Sequence, residues 1–380
     1  MSAAGDGELR RRLRAPTPAE QATAAAIVAT HLAPSPVLAT CLAAGTASPG
    51  PDPTSSDPHP EVATSDRRRS AGTGGTDGAG GGDWLVLESM QPTGSFKVRG
   101  ALAALSSLPP ERTAVAASAG NHALGLAWAA RRLDRAVVLV TAETASPAKL
   151  AALAALAGAP GARIELVRHG DGYDAAEAHA RRLAGQPGCS YLSAYSDYAV
   201  IAGAASIGAE LDASFGRDRP LSVYTPLGGG GLASGLALWA GRRPGTRLVA
   251  AEAAASPAVG RAVAAGRRVA VEVGTTLADG LAGNLEEGGP TADILAAGVA
   301  AGVVEIVDVD EPALAAAIRW LFDAHGLVAE GAAAAALAAA LADTGEQTRP
   351  AGGDGPAGAR VVLVTGRNIS TGLYASILAG

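Results

Sequence analysis

Short runs of β-branched and aliphatic residues alternate along this chain with alanine-rich stretches of helical length, and no other feature narrows the fold as much. The runs at 136–141, 163–167, 222–225, 247–251, 303–307 and 360–364 are nearly continuous in apolar character and read as strands buried on both faces. Between them, residues 121–132, 147–157, 173–183 and 232–241 have the length and composition of helices. Pro147 directly after Ser146 marks a helix start, with a cap followed by a first-turn proline. Strand–helix alternation over this length predicts an α/β architecture with mainly parallel sheets. Ligands in such folds bind beyond the carboxyl ends of strands, so the loops that follow the strands are the places to look for chemistry.

Composition excludes several partners. The 380 residues are 48% hydrophobic, enough for one large domain or two moderate ones. A net charge of −6 gives no general attraction to nucleic acid or an anionic membrane. The Arg10–Arg14 and Arg67–Arg69 clusters sit in polar segments and read as solvated. No apolar stretch reaches the roughly 18 residues of a membrane span, and the alanine run at 331–342 reads as a buried helix. The amino terminus lacks the apolar core of a signal peptide, and Cys41 and Cys189 match no metal-ligand spacing. A reduced, soluble, cytoplasmic protein is therefore expected. Residues 44–83 are rich in Gly, Pro, Ser and Asp without apolar periodicity, which predicts a disordered insertion. A second stretch of this kind, 343–358, reads as a surface loop.

Four segments carry chemistry. The first, Pro92-Thr-Gly-Ser-Phe96-Lys97-Val-Arg99-Gly-Ala101, follows a short strand at 84–87 and opens a helix, with Ser95 as the expected cap. A lysine amine becomes a nucleophile only where its surroundings expose the free base. The second, Ser118-Ala119-Gly120-Asn121-His122, joins the strand at 113–117 to a helix, and helix-start amides form an anion site. In the third, Gly228-Gly229-Gly230-Gly231, consecutive glycines let backbone amides converge on a phosphate. The Gly-Lys-Ser/Thr ending of a nucleotide P-loop is absent there. The fourth is the hydroxyl of Thr365 at the end of the last strand.

These four segments, in this order, resemble the fold-type-II pyridoxal-phosphate enzymes, in particular the threonine and serine dehydratase (ammonia-lyase) branch. The resemblance implies two open α/β domains with mainly parallel sheets and the cofactor in the cleft between them. Residues 1–112 with 191–380 would form the large cofactor-binding domain, and 113–190 the small substrate-loop domain. It implies that Lys97 holds pyridoxal 5'-phosphate as a Schiff base and moves the substrate proton, with Phe96 near the ring and Arg99 structural. Ser118, Ala119, Gly120, Asn121 and His122 would hold the substrate carboxylate, Asn121 also touching the cofactor's phenolic oxygen. Gly228, Gly229, Gly230 and Gly231 would take the phosphate, and Thr365 would face the pyridine nitrogen. Serine racemases of the family carry a second serine where this chain has Ala119, and an alanine cannot move a proton, which favours one-face elimination.

The implied reaction is β-elimination of a β-hydroxy amino acid such as threonine or serine, giving a 2-oxo acid and ammonia. Alternatives are a hydroxyaspartate substrate, suggested by the segment from Thr276 to Gly288, a β-replacement enzyme, or a non-catalytic binding homologue. The family implies a homodimer. Leu124 and Arg367 depart from the family's usual residues. Glu210 matches a cation-binding glutamate of some members, but Leu221 stands where its partner aspartate is looked for. An exposed helix glutamate, and no metal, is the expectation. Glu252 is expected to line the cleft, and Asp279 to lie near the active site. His31, His59, His169, His179 and His325 show no paired ligand spacing. Few residues follow Thr365, so no regulatory domain with feedback control is expected.

Overall fold

The computed structural model describes residues 11–42, 82–343 and 358–380. The predicted insertion at 44–83 lies outside the described residues except for its last two, as does the loop at 343–358 except for its two ends.

Two sheets organise the chain. The larger runs in the order β1 (Val37–Thr40), β2 (Asp83–Val86), β10 (Ala359–Leu363), β7 (Leu221–Pro226), β8 (Thr246–Ala253) and β9 (Val304–Val309). Only β1 is antiparallel, at the edge, and every other neighbouring pair is parallel. The smaller sheet is wholly parallel, in the order β5 (Ile164–Arg168), β4 (Val137–Thr141), β3 (Thr113–Ala117) and β6 (Cys189–Tyr191). This is the α/β architecture expected from the alternating pattern. Every residue of β7 is buried, which is why such a strand reads as a continuous apolar run rather than an alternating one.

The helices fill in around these sheets. Helix α1 (Pro18–His31) and α2 (Lys97–Ser107) pack on α6 (Tyr198–Phe215), which also packs on α7 (Gly231–Ala240). Val98, Leu102 and Leu105 of α2 share one core with Leu126 of α3 (Asn121–Leu133) and Leu139 of β4. The alanine run is a buried helix, α11 (Gly331–Ala342), lying on β7 and β8 with Gly331 through Ala340 buried. Alanine suits that place because a side chain of one carbon lets the helix approach the sheet and loses no rotamer freedom. Helix α4 (Pro147–Ala157) begins at the expected proline, although Ser146 makes no side-chain capping bond.

A buried ion cluster joins these layers. Arg99 is fully buried and paired with Glu88 on one side (Nε–Oε2 2.8 Å, Nη2–Oε1 2.8 Å). On the other side it pairs with Glu210 of α6 (2.6 and 2.8 Å). Arg99 is thus structural, as the resemblance implied. Glu210, by contrast, is no exposed helix glutamate: its carboxylate is committed to Arg99 and also accepts the Ser35 amide at 3.0 Å. Two further expectations are corrected. Ser95 does not cap α2, because the helix starts one residue later, with Phe96 at the cap position and the Ser95 hydroxyl buried without a partner. Glu252 does not line the cleft. It turns toward α8 (Ala258–Ala265) and accepts the amides of Val259 (3.2 Å) and Gly260 (2.8 Å), a helix-start anchor for a buried carboxylate.

Among the described residues no helix is long and apolar enough to cross a membrane. Cys41 and Cys189 are both free thiols.

Candidate active site

The carboxyl ends of β3, β7 and β10 open onto one cleft of about 960 Å³, and the start of α2 forms its floor. Phe96, Lys97, Ser118, Ala119, Gly120, Asn121, His122, Gly228, Gly230, Gly231 and Thr365 all line it. Segments separated by more than a hundred residues are therefore brought to one place.

Lys97 is the first residue of α2. The strand end holds that helix start in position: the Phe96 amide donates to the Thr365 carbonyl at 3.0 Å, and the Arg367 amide donates to the Gly94 carbonyl at 2.9 Å. The Lys97 amine donates to the Ala194 carbonyl at 3.0 Å and lies 5.2 Å from the centroid of the Phe96 ring. Burial lowers its pKa to about 8, against the opposing influence of the Glu330 carboxylate. An amine of this kind is substantially free base a little above neutrality, which an exposed lysine is not.

The loop after β3 supplies polar groups at a helix start. The Gly120 amide donates to Ser118 Oγ at 3.1 Å, and a Cβ placed on Gly120 would meet nothing within 4 Å, so the backbone faces open cleft. Asn121 opens α3, whose first-turn amides have no partner within the helix. His122 is buried, and burial together with the nearby Lys97 charge pushes its pKa down to about 3, leaving a neutral imidazole. Leu124 gives the wall an apolar side chain.

The glycine loop turns from β7 into α7. Gly230 has φ +88°, a left-handed conformation that glycine adopts without strain, and occupies the cap position of α7. Gly229 is the one residue of the run that does not line the cleft. A Cβ there would come within 2.5 Å of the Tyr195 ring, so the loop rests on that ring. The Tyr195 hydroxyl in turn accepts the Glu286 amide at 2.8 Å.

Several lining residues escaped the motif reading. Glu330, at the cap position of α11, is buried, and burial raises its pKa to about 7. Its carboxylate accepts from Asn121 Nδ2 at 2.7 Å and lies against Gly366, where any side chain would overlap it. The available signal was a lone acid between two apolar runs, since a buried acid requires partners. At the mouth, Lys149 pairs with Asp279 at 2.9 Å, which places Asp279 at the site as expected. Glu286 accepts from Arg181 and from Ser193 Oγ (2.6 Å). Of the histidines set aside, His169 and His179 stack on each other at 4.0 Å away from the cleft lining, and His59 lies outside the described residues.

A two-sheet α/β protein with a half-buried lysine amine, a glycine loop and a helix start around one cleft has the arrangement of a cofactor-dependent enzyme. The family described as "Pyridoxal-phosphate dependent enzyme" matches residues 74–365, so the chain belongs to that family, and its cofactor is pyridoxal phosphate. The chain is 33% identical over 276 residues to threonine dehydratase 1 biosynthetic, chloroplastic, of Solanum lycopersicum, covering 68% of this chain and 41% of that protein. It is 34% identical over 276 residues to the biosynthetic L-threonine dehydratase of Burkholderia multivorans, covering 68% of this chain and 50% of that one. The chain thus spans half or less of the length of these two relatives. The crystal structure of a threonine deaminase from T.th. superposes with a TM-score of 0.71 at 30% identity, covering 93% of this chain and 99% of that one.

The residues present fit the cofactor. The cleft offers an amine of lowered pKa for an aldehyde, glycine-loop amides at the start of α7 for a phosphate, and a buried hydroxyl at Thr365 for a ring nitrogen.

Proposed function

We propose that the chain is a pyridoxal-phosphate-dependent ammonia-lyase that converts a β-hydroxy amino acid, threonine or serine, into a 2-oxo acid and ammonia. The observation that carries this reading is the half-buried Lys97 amine, its pKa lowered to about 8, lining the same cleft as the Ser118–His122 loop. The relatives' names, threonine dehydratase among them, support the same reaction.

When bound, the cofactor supplies the electron withdrawal that makes the substrate's α-proton acidic. The chain's own residues do the rest. Lys97 would hold the cofactor aldehyde, and its amine, as a free base, would take the substrate's α-proton. Ser118, Ala119, Gly120, Asn121 and His122 hold the substrate carboxylate at the start of α3, with His122 neutral. Gly228, Gly230 and Gly231 would hold the phosphate through backbone amides, with Gly229 seating the loop on Tyr195, and the neutral Thr365 hydroxyl would meet the ring nitrogen. Phe96 bounds the ring. Ala119 itself can move no proton, which favours elimination over racemisation.

The proposed division assigns 1–112 and 191–380 to the cofactor-binding domain and 113–190 to the substrate-loop domain; the four-stranded sheet falls almost wholly within the latter. A homodimer in the cytoplasm, without a bound metal, completes the reading. Replacing Lys97 with alanine tests it. Wild-type protein with pyridoxal phosphate is expected to show a visible absorbance band and to release ammonia from threonine or serine. Persistence of either property in Lys97→Ala would overturn the assignment.

A further inference from the structure

Asn121 sits between two partners of opposite hydrogen-bonding sense. Its Oδ1 accepts from Asn368 Nδ2 at 2.6 Å, and its own Nδ2 donates to Glu330 Oε1 at 2.7 Å. Asn368 Nδ2 is itself fixed, donating also to the Thr93 carbonyl at 2.9 Å in the turn before Lys97. An amide's two ends differ only in donor or acceptor character, so an acceptor on one side and a donor on the other leave one orientation. Reversing the amide would set N–H against N–H at Asn368 and, at an ionised Glu330, oxygen against oxygen.

Local backbone holds Glu330 in this place. Its amide donates to the Gly366 carbonyl at 3.1 Å, and a Cβ at 366 would displace its carboxylate from this position. The three side chains come from the start of α3, the start of α11 and the loop after β10, so the contact also joins the substrate loop to the larger sheet.

We propose that Glu330 is a positioning residue: with Asn368 it clamps the Asn121 amide in one orientation and leaves its second N–H as a donor for an oxygen of the bound cofactor. The clamp rests on the pyridoxal-phosphate reading above and deepens it. Glutamine at 330 keeps an acceptor oxygen and loses the charge, whereas alanine loses both. The pair therefore separates orientation from charge.

The test titrates cofactor-stripped protein with pyridoxal phosphate and follows the position and amplitude of the visible band. Glu330→Gln is expected to bind within about twofold of wild type with the band unmoved. Glu330→Ala and Asn368→Ala are expected to weaken binding about three- to tenfold, the worth of one hydrogen bond, and to shift the band. In an Asn121→Ala background, Glu330→Ala should have no further effect. Thermal unfolding identifies a variant that fails to fold, and Asn368→Ala then carries the test from the other side of the clamp. Wild-type affinity and spectrum in Glu330→Ala, or an equal loss in the Asn121→Ala background, would overturn the clamp alone. A wild-type chain without a visible band would overturn the cofactor reading, and the clamp with it.

Discussion

Phe96 donates its backbone amide to the carbonyl oxygen of Thr365 at 3.0 Å, tying the start of the lysine helix to the end of the last strand. The main chains that carry Lys97 and Thr365 are therefore tied together by one short piece of backbone. Because the bond uses the Thr365 main chain, the side chain can be changed while the tie remains. Thr365→Val keeps the shape and removes the hydroxyl. The variant is expected to keep its unfolding midpoint and to bind pyridoxal phosphate about two- to tenfold more weakly, the range of one neutral hydrogen bond. A cofactor titration beside a urea melt checks both halves.

Lys97 gives a pH dependence of defined sign. Its pKa falls from 10.5 in the free side chain to about 8 in the fold, because burial disfavours the charged form. Between those values the unfolded chain binds more protons than the folded one, so this group's contribution to stability rises with pH from about 8 to 10.5. Below pH 8 the penalty is fully present. Capture of an aldehyde needs the free amine, so its rate in cofactor-free protein should climb with a midpoint near pH 8 rather than 10.5. Stopped-flow absorbance across pH 6 to 10, roughly bracketing that midpoint, measures it. In Lys97→Met the rise in stability above pH 8 should disappear.

Much of this site is legible in sequence for a physical reason. Parallel strands buried on both faces leave continuous apolar runs, and each strand–loop–helix junction keeps the residues that line the cleft contiguous, as in Ser118 to His122. What joins two junctions is not legible. Asn121 meets Asn368 across 247 residues and Glu330 across 209. Arg99 meets Glu210 across 111, which is why Glu210 read alone looked like a solvated helix acid. Ser95 misled in another way: serine is a common cap, but the backbone bond from Phe96 to Thr365 sets where α2 begins.

Replacement of Gly230 should be felt directly. Its φ of +88° puts any other residue in a left-handed conformation costing about 1–2 kcal/mol. A Cβ there would also stand 2.9 Å from Thr291 Cβ, a side chain at the start of α9 (Thr291–Ala300) that is itself buried. Gly230→Ala is expected to lower the denaturation midpoint and weaken binding of pyridoxal phosphate. The loss should be larger for the cofactor than for pyridoxal, which lacks the phosphate, and comparing the two ligands tests where the loop acts.

Arg99 offers the largest expected change in stability. Its guanidinium is fully buried and is shared between Glu88, also fully buried, and Glu210, whose side chain is 23% exposed. Removing the cation leaves Glu88 as a negative charge with no counter-ion in the interior, and breaking a buried pair in this way costs about 3–5 kcal/mol. Arg99→Ala should lose that amount in urea unfolding. Pairing it with Glu88→Gln should recover part of the loss, because an amide needs no counter-ion. The same cluster positions the turn before Lys97: Glu88 begins the short helical turn at Glu88–Met90, and the Ser89 amide bonds to the Val364 carbonyl at 2.8 Å. If the cluster acts only through the fold, the double variant should regain cofactor affinity in step with stability. A stable double variant that still fails to hold pyridoxal phosphate would instead show that the ion cluster sets the geometry of Lys97 itself.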